Sequence, residues 1–201
     1  KAAERSVTVR GLAEREVTAD LATWTVSFAS TATNLQTAQA NTDRDAEAVR
    51  AFFEELGFPE EELTPAGINV SSYTNDGTAF YTVRQRTVLR TRDIDRAQRA
   101  VRRQAELVRD GVVLEDGSGI SYTFTGLNDI KPEMVAEATK DARAAAEQFA
   151  QDSGAAVGGI HKATQGYFSI DARDGEAGGW GIGDTPFKKV RVVTTVDFAL
   201  D

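Results

Sequence analysis

The chain predicts an α+β fold in which helices cover an antiparallel or mixed sheet, and three observations carry that prediction. Apolar residues alternate with polar ones over 24–28, 120–125 and 190–200, the period of a half-buried strand. Between these runs lie long stretches with apolar residues three and four apart, the period of an amphipathic helix. Two β-like runs are separated by only "NDG" (75–77), a spacing that makes neighbours antiparallel.

In "REVTADLATWTVSFASTAT" (15–33), Trp24, Val26 and Phe28 share one face and Thr23, Thr25 and Ser27 the other, which predicts the first strand. A long helix follows on the stripe Leu35, Ala38, Thr42, Ala46, Val49, Phe53 and Leu56, stopped by Gly57 and Pro59. "AGINVSSYT" (66–74) and "TAFYTVRQRTVLRT" (78–91) predict a hairpin about Asn75-Asp76-Gly77, whose Asn and Gly tolerate positive φ. Asp93 is the expected N-cap of a second helix on Ile94, Ala97, Val101, Ala105 and Val108, ending near Gly111. Its Arg96, Arg99, Arg102 and Arg103 are expected to face water for the most part. "GISYTFTG" (119–126) alternates Ile120, Tyr122 and Phe124 against Ser121, Thr123 and Thr125, another strand.

The resulting order, β-α-β-β-α-β, is that of the ferredoxin-like split unit. A third helix is expected through "KPEMVAEATKDARAAAEQFAQDSG", with Pro132 in its first turn, Gly154 at its C-cap and an inner stripe of Val135, Ala138, Ala142, Ala145 and Phe149. Two C-terminal strands near 159–170 and 187–200 complete the prediction, and the second alternates Val190, Val192, Thr194, Val196, Phe198 and Leu200. Residues 1–201 are read as a single domain, long enough for one substantial core.

The composition narrows the function. Lys and Arg total 23 against 31 Asp and Glu, a formal net charge of −8, which repels nucleic-acid phosphates and anionic membrane surfaces unless basic residues cluster. They cluster in "RTRDIDRAQRAVRRQ" (90–104), but acids interrupt that stretch and no aromatic residue is interleaved to stack on bases, so it reads as a solvated helix face. No nucleic-acid partner is expected. The absence of cysteine excludes disulfides, thiolate metal sites and cysteine nucleophiles. No run approaches the ~18 apolar residues of a membrane span, and no charged and apolar leader is read in the sequence from Lys1, where a cleaved or trimmed one would leave no trace. The sequon Asn69-Val70-Ser71 permits N-glycosylation.

"GGWGIGDTPFKK" (178–189) comes within one letter of the phosphate-binding pattern G-x-x-x-x-G-K-[ST], with Asp184 in place of the lysine. A phosphate loop needs a following helix N-terminus and a neutralising cation, whereas here Pro186 and a strand follow and Asp171, Asp174 and Glu176 add negative charge. Nucleotide binding is not expected. The spacing of "DARDGE" fails for calcium, because Arg173 stands where an EF-hand places Asp or Asn. His161 is the only histidine and reads as a surface or edge residue. No G-x-S-x-G elbow exists, and Ser118 in "DGSGIS" reads as part of a turn. Glu60-Glu61-Glu62 reads as a capping or solubilising turn, and Asp20, Asp93 and Asp95 as structural carboxylates rather than those of a hydrolase. No catalytic, cofactor-binding or metal-binding residue is assigned. Trp180, flanked by Gly179 and Gly181, and Ile182 beyond it form the candidate interface, since a large ring in a glycine-rich loop has little local structure to bury it.

Six segments then add up to a family. "SVTVRGLAEREVTADLATWTVSF" (6–28), "ELGFPEEELTPAGINVSSY" (55–73), "TVLRTRDIDRAQRAV" (87–101), "GISYTFTG", "EATKDARAAAEQFAQDSGAAVGGI" (137–160) and the closing "VRVVTTVDFAL" resemble the SIMPL-domain family, in order and over nearly the whole chain. That family includes bacterial periplasmic immunogenic proteins and a vertebrate protein that binds an interleukin-receptor-associated kinase. The kinase-binding role is not carried over. The resemblance implies an α+β fold, an export signal or anchor removed from ahead of the domain, and homo-oligomers in some members; it implies no agreed reaction. The acidic, glycine-rich 171–186 stretch departs from the family pattern. The expected protein is therefore a non-enzymatic, periplasmic, cell-surface or secreted homo-oligomer that assembles with itself or binds another envelope protein. A cytoplasmic location stays open, as do a small-molecule or peptide-binding module and an unrecognised carboxylate hydrolase.

Overall fold

The computed structural model describes residues 4–175 and 184–201. In chain order its elements are β1 (Ser6–Thr18), β2 (Leu21–Ala32), α1 (Leu35–Glu55), a 3-10 turn (Glu60–Glu62), β3 (Leu63–Asn75), β4 (Thr78–Thr91), α2 (Ile94–Arg102), α3 (Ala105–Arg109), β5 (Gly119–Thr123), α4 (Leu127–Ser153), β6 (Val157–Gln165), β7 (Ser169–Ala172) and β8 (Phe187–Leu200). This is a mixed α+β architecture with two antiparallel four-stranded sheets. The chain divides into two compact units, one containing Ala19–Thr123 and the other built from β1, α4, β6, β7 and β8.

In the Ala19–Thr123 unit the strands lie side by side as β3-β4-β2-β5. Pairing sets Trp24 beside Leu89 and Val26 beside Thr87, so the alternating face expected of β2 forms one wall of the core. Against it α1 buries Val49, Phe52 and Phe53, and the Trp24 and Phe53 rings meet edge to face with centroids 5.4 Å apart. The Asn34 side chain caps α1 by accepting from the Thr37 N–H. Asn75 pairs with Thr78, so the hairpin loop is Asp76-Gly77, with φ of +51° and +76°. Asp76, not Asn75, takes the positive φ expected of this turn.

Asp93 caps α2 as expected, accepting from the Arg96 N–H. The single helix expected over 94–111 is broken at Arg103-Gln104, and the break re-phases the chain. Leu107 turns into the core while Val108 is 59% exposed, the reverse of the expected stripe. The physical reason is local: 102–104 holds no apolar residue to keep a continuous helix on the sheet, so the chain rewinds to bury Leu107 and Val112. Arg96 is also drawn off the solvent face, lying 5.7 Å over the Phe58 ring and donating to the Gly57 carbonyl.

In the other unit β8 runs through the sheet centre, pairing with β1 from Ser6–Ala199 to Thr18–Phe187. On its other side β8 pairs with both β6 and β7. Val190, Val192, Thr194, Val196 and Phe198 are buried, as the alternation of β8 predicts. The sequence reading misses β1, because its fully buried positions are only Val9, Gly11 and Ala13 while Arg10, Glu14, Arg15 and Glu16 dominate its composition. It also merges β6 and β7 into one strand. The chain leaves the sheet register between them at Gly166, whose N–H bonds the Val193 carbonyl and whose added Cβ would collide with that carbonyl.

The inner stripe of α4 is Met134, Ala138, Ala142, Ala146 and Ala150, not the expected set through Ala145 and Phe149, and Phe149 is 61% exposed. Gly11 explains the choice. A Cβ there would overlap the Ala138 carbonyl, so α4 lies against the β1 backbone and admits only small side chains at the crossing. Gly154 closes the helix at φ +74°. Among the described residues no helix is long and apolar enough to cross a membrane.

Candidate functional site

The segment that resembles a phosphate loop ends in a structural tie. Asp184 Oδ2 accepts from the Tyr122 N–H at 2.8 Å and its Oδ1 from the Thr185 N–H at 2.9 Å, while the Pro186 carbonyl accepts from the Ala19 N–H. The carboxylate that replaces the lysine thus holds the edge of β5, and the strand β8 begins directly afterwards. Burial, and after it the Asp184 charge, raise the Tyr122 phenol above its ordinary pKa. Trp180 and Ile182, the candidate interface residues, lie outside the described residues, as does Glu176.

The other polar candidates occupy structural positions. Ser118 Oγ donates to the Ser27 carbonyl and accepts from the Ser27 N–H, pinning the turn before β5 to β2. Asp20 pairs with Arg92 at 3.6 Å, Asp93 is occupied as a helix cap, and Asp95 is exposed in the first turn of α2. Glu60–Glu62 forms the 3-10 turn ahead of β3. Asp171 sits opposite Lys189, and Asp174 is held by Arg173 in two 3.2 Å bonds. His161 is exposed on β6.

What the two sheets leave unpaired is more informative, because an open edge is a row of unmatched N–H and C=O groups. In one sheet β1 carries alternating charges along its edge, and β6 is interrupted by two register shifts and carries Lys162. In the other, β5 is only five residues long and is tied at Tyr122 by Asp184. Each of these edges is blunted.

β3 is not. Among the described residues it pairs only with β4, twelve of its 13 residues are exposed, and "LTPAGINVSSYTN" contains no charged residue. Pro65 and a register shift between Pro65 and Ile68 protect its first part, but from Ile68 to Asn75 it pairs regularly with β4 and its outer edge meets no other strand among the described residues. Ile68, Val70 and Tyr73 are each at least half exposed, and the Tyr73 ring stacks on Phe80 at 5.2 Å, which stiffens the hairpin. The sequence reading finds this hairpin but assigns no contact to it. The legible signal is the missing charge over 63–75.

A family model described as "SIMPL: Protein of unknown function (DUF541)" matches residues 7–198. The chain belongs to the SIMPL family. The match runs from the start of β1 into the last residues of β8, so the SIMPL region covers both compact units rather than either alone. No curated protein matches the chain. The family description names no reaction, so no residue role passes to this SIMPL chain from it, and the β3 edge rests on its own geometry.

Proposed function

We propose that this SIMPL protein is a non-enzymatic, extracytoplasmic envelope component that works by self-assembly, with the Ile68–Asn75 edge of β3 as its contact. The observation that carries the reading is an eight-residue stretch of regularly paired strand that has no charge, proline or bulge and no cover on its outer edge among the described residues. A strand from a second copy satisfies those backbone groups, and Val70 and Tyr73 add apolar area on opposite faces. The Ala19–Thr123 unit is read here as ferredoxin-like, a reading supported by its β2-α1-β3-β4-α2-α3-β5 succession and the β3-β4-β2-β5 sheet order. The family resemblance supports placement in the periplasm, at the cell surface or in the medium. Trp180 and Ile182 remain proposed contributors on sequence grounds.

The test is light scattering of the purified protein beside Val70→Lys and Trp180→Ala variants. A multimeric mass that falls to the monomer in Val70→Lys supports the reading, while a monomer at every concentration rejects it. The net charge of −8 opposes association, so the assembly tightens as salt rises. The same edge also suits a strand from another envelope protein, the reading that a monomeric mass would favour.

A further inference from the structure

α1 packs on β2 and β4, while β3 runs on beyond it with its helix-side residues uncovered. Between α1 and the start of β3 lies a cavity of about 640 Å³ within the Ala19–Thr123 unit, a size typical of small-molecule sites. Ala46 on α1 and Leu63, Pro65 and Ile68 on β3 make its walls mainly apolar. Its lining includes the break in β3 pairing between Pro65 and Ile68, where Gly67 takes φ of +125°, a conformation that favours glycine. A bulge of this kind re-aims a strand locally and is common beside binding sites.

Two polar groups inside the cavity are under-used. Thr87 is only 8% exposed, and its hydroxyl has no hydrogen-bond partner among the described residues. Gln85 spends its amide N–H groups on Thr42 and Asp43, leaving its carbonyl oxygen as an acceptor. The charges around the cavity cancel, with Glu47 and Glu60 matched by Arg50 and Arg86. Arg50 is moreover bonded to both Glu47 and Glu54, so it is not free to receive an anion.

We propose that this cavity binds a compact, uncharged, largely apolar molecule bearing one hydrogen-bonding group, which Thr87 and Gln85 engage. An apolar body replaces water against Ala46, Leu63 and Ile68, and the polar group bonds a hydroxyl that has no protein partner among the described residues. A charged group is disfavoured, because the lining carries as many acids as bases and offers it no net counter-charge when it is desolvated.

The test uses two fluorescent compounds that differ by one sulfonate, neutral N-phenyl-1-naphthylamine and anionic 8-anilinonaphthalene-1-sulfonate, titrated into the whole chain. The neutral compound binds saturably at one per chain, and the sulfonate binds roughly tenfold more weakly or worse. Ala46→Trp, which fills the cavity from α1 and replaces no residue of β3, abolishes binding without changing the assembly mass. Thr87→Val, nearly the same shape, weakens binding about three- to tenfold, the worth of one net hydrogen bond, and decides the matter should the tryptophan variant fail to fold. Absence of saturable binding, equal binding of the two compounds, or binding indifferent to Thr87→Val overturns the proposal. None of these outcomes bears on self-assembly.

Discussion

Gly11 of β1 lies directly beneath Ala142 of α4, so close that a Cβ on Gly11 would stand 2.8 Å from the Ala142 Cβ. Helix and strand backbones meet at this crossing with no room for a side chain between them. Gly11→Ala and Ala142→Leu are each expected to cost about 1–3 kcal/mol by overpacking, read as a lower denaturation midpoint. Lys140→Leu and Phe149→Ser, both at exposed positions, are expected to stay within about 0.5 kcal/mol of the parent. Equal midpoints across the four variants would show that α4 presents another face.

The same crossing explains what the sequence reveals and what it hides. Alternation in β2 and β8 is legible because large residues such as Trp24, Val26 and Phe198 mark the buried face. In β1 and α4 the buried faces are mostly Gly and Ala, chosen for closeness rather than bulk, with Val9 and Met134 the larger members, so hydrophobic periodicity passes over β1 and assigns Phe149 inward. The break between α2 and α3 is invisible for a related reason: a periodic pattern survives a re-phasing that only the tertiary core requires. The open edge of β3 is legible only as an absence of charge. Its significance appears once the other three edges are seen to be protected.

Asp184 is expected to matter for stability and not for phosphate. Asp184→Ala leaves the Tyr122 N–H without its partner and is expected to cost about 1–3 kcal/mol, whereas Asp184→Asn keeps an acceptor oxygen and costs less. Calorimetric titration with ATP and magnesium is expected to show no binding. Micromolar affinity that falls on replacing Gly183 would contradict this assignment.

Asp45 supplies a pH signature. Burial raises its carboxyl above the ordinary value of 3.8, opposed in part by Arg44. The folded state therefore holds this proton more tightly than the unfolded chain does, so the ionised carboxylate costs stability above the raised pKa and costs nothing below 3.8. Asp45→Asn is expected to raise the denaturation midpoint at pH 7, with the gain disappearing as pH falls through the range just above 3.8. A gain that persists below that range would assign the effect to packing instead.

The pairing of β3 with a second copy is tested most directly by hydrogen exchange of the Ile68–Asn75 amides, followed residue by residue above and below the association concentration. About half of these amides bond to β4 in the isolated chain, since alternate strand groups point to opposite sides, and they exchange slowly throughout. The remaining, outward-pointing amides are expected to become protected only in the assembled protein and to lose that protection in Val70→Lys. Outward amides that exchange equally fast in monomer and assembly would contradict this pairing.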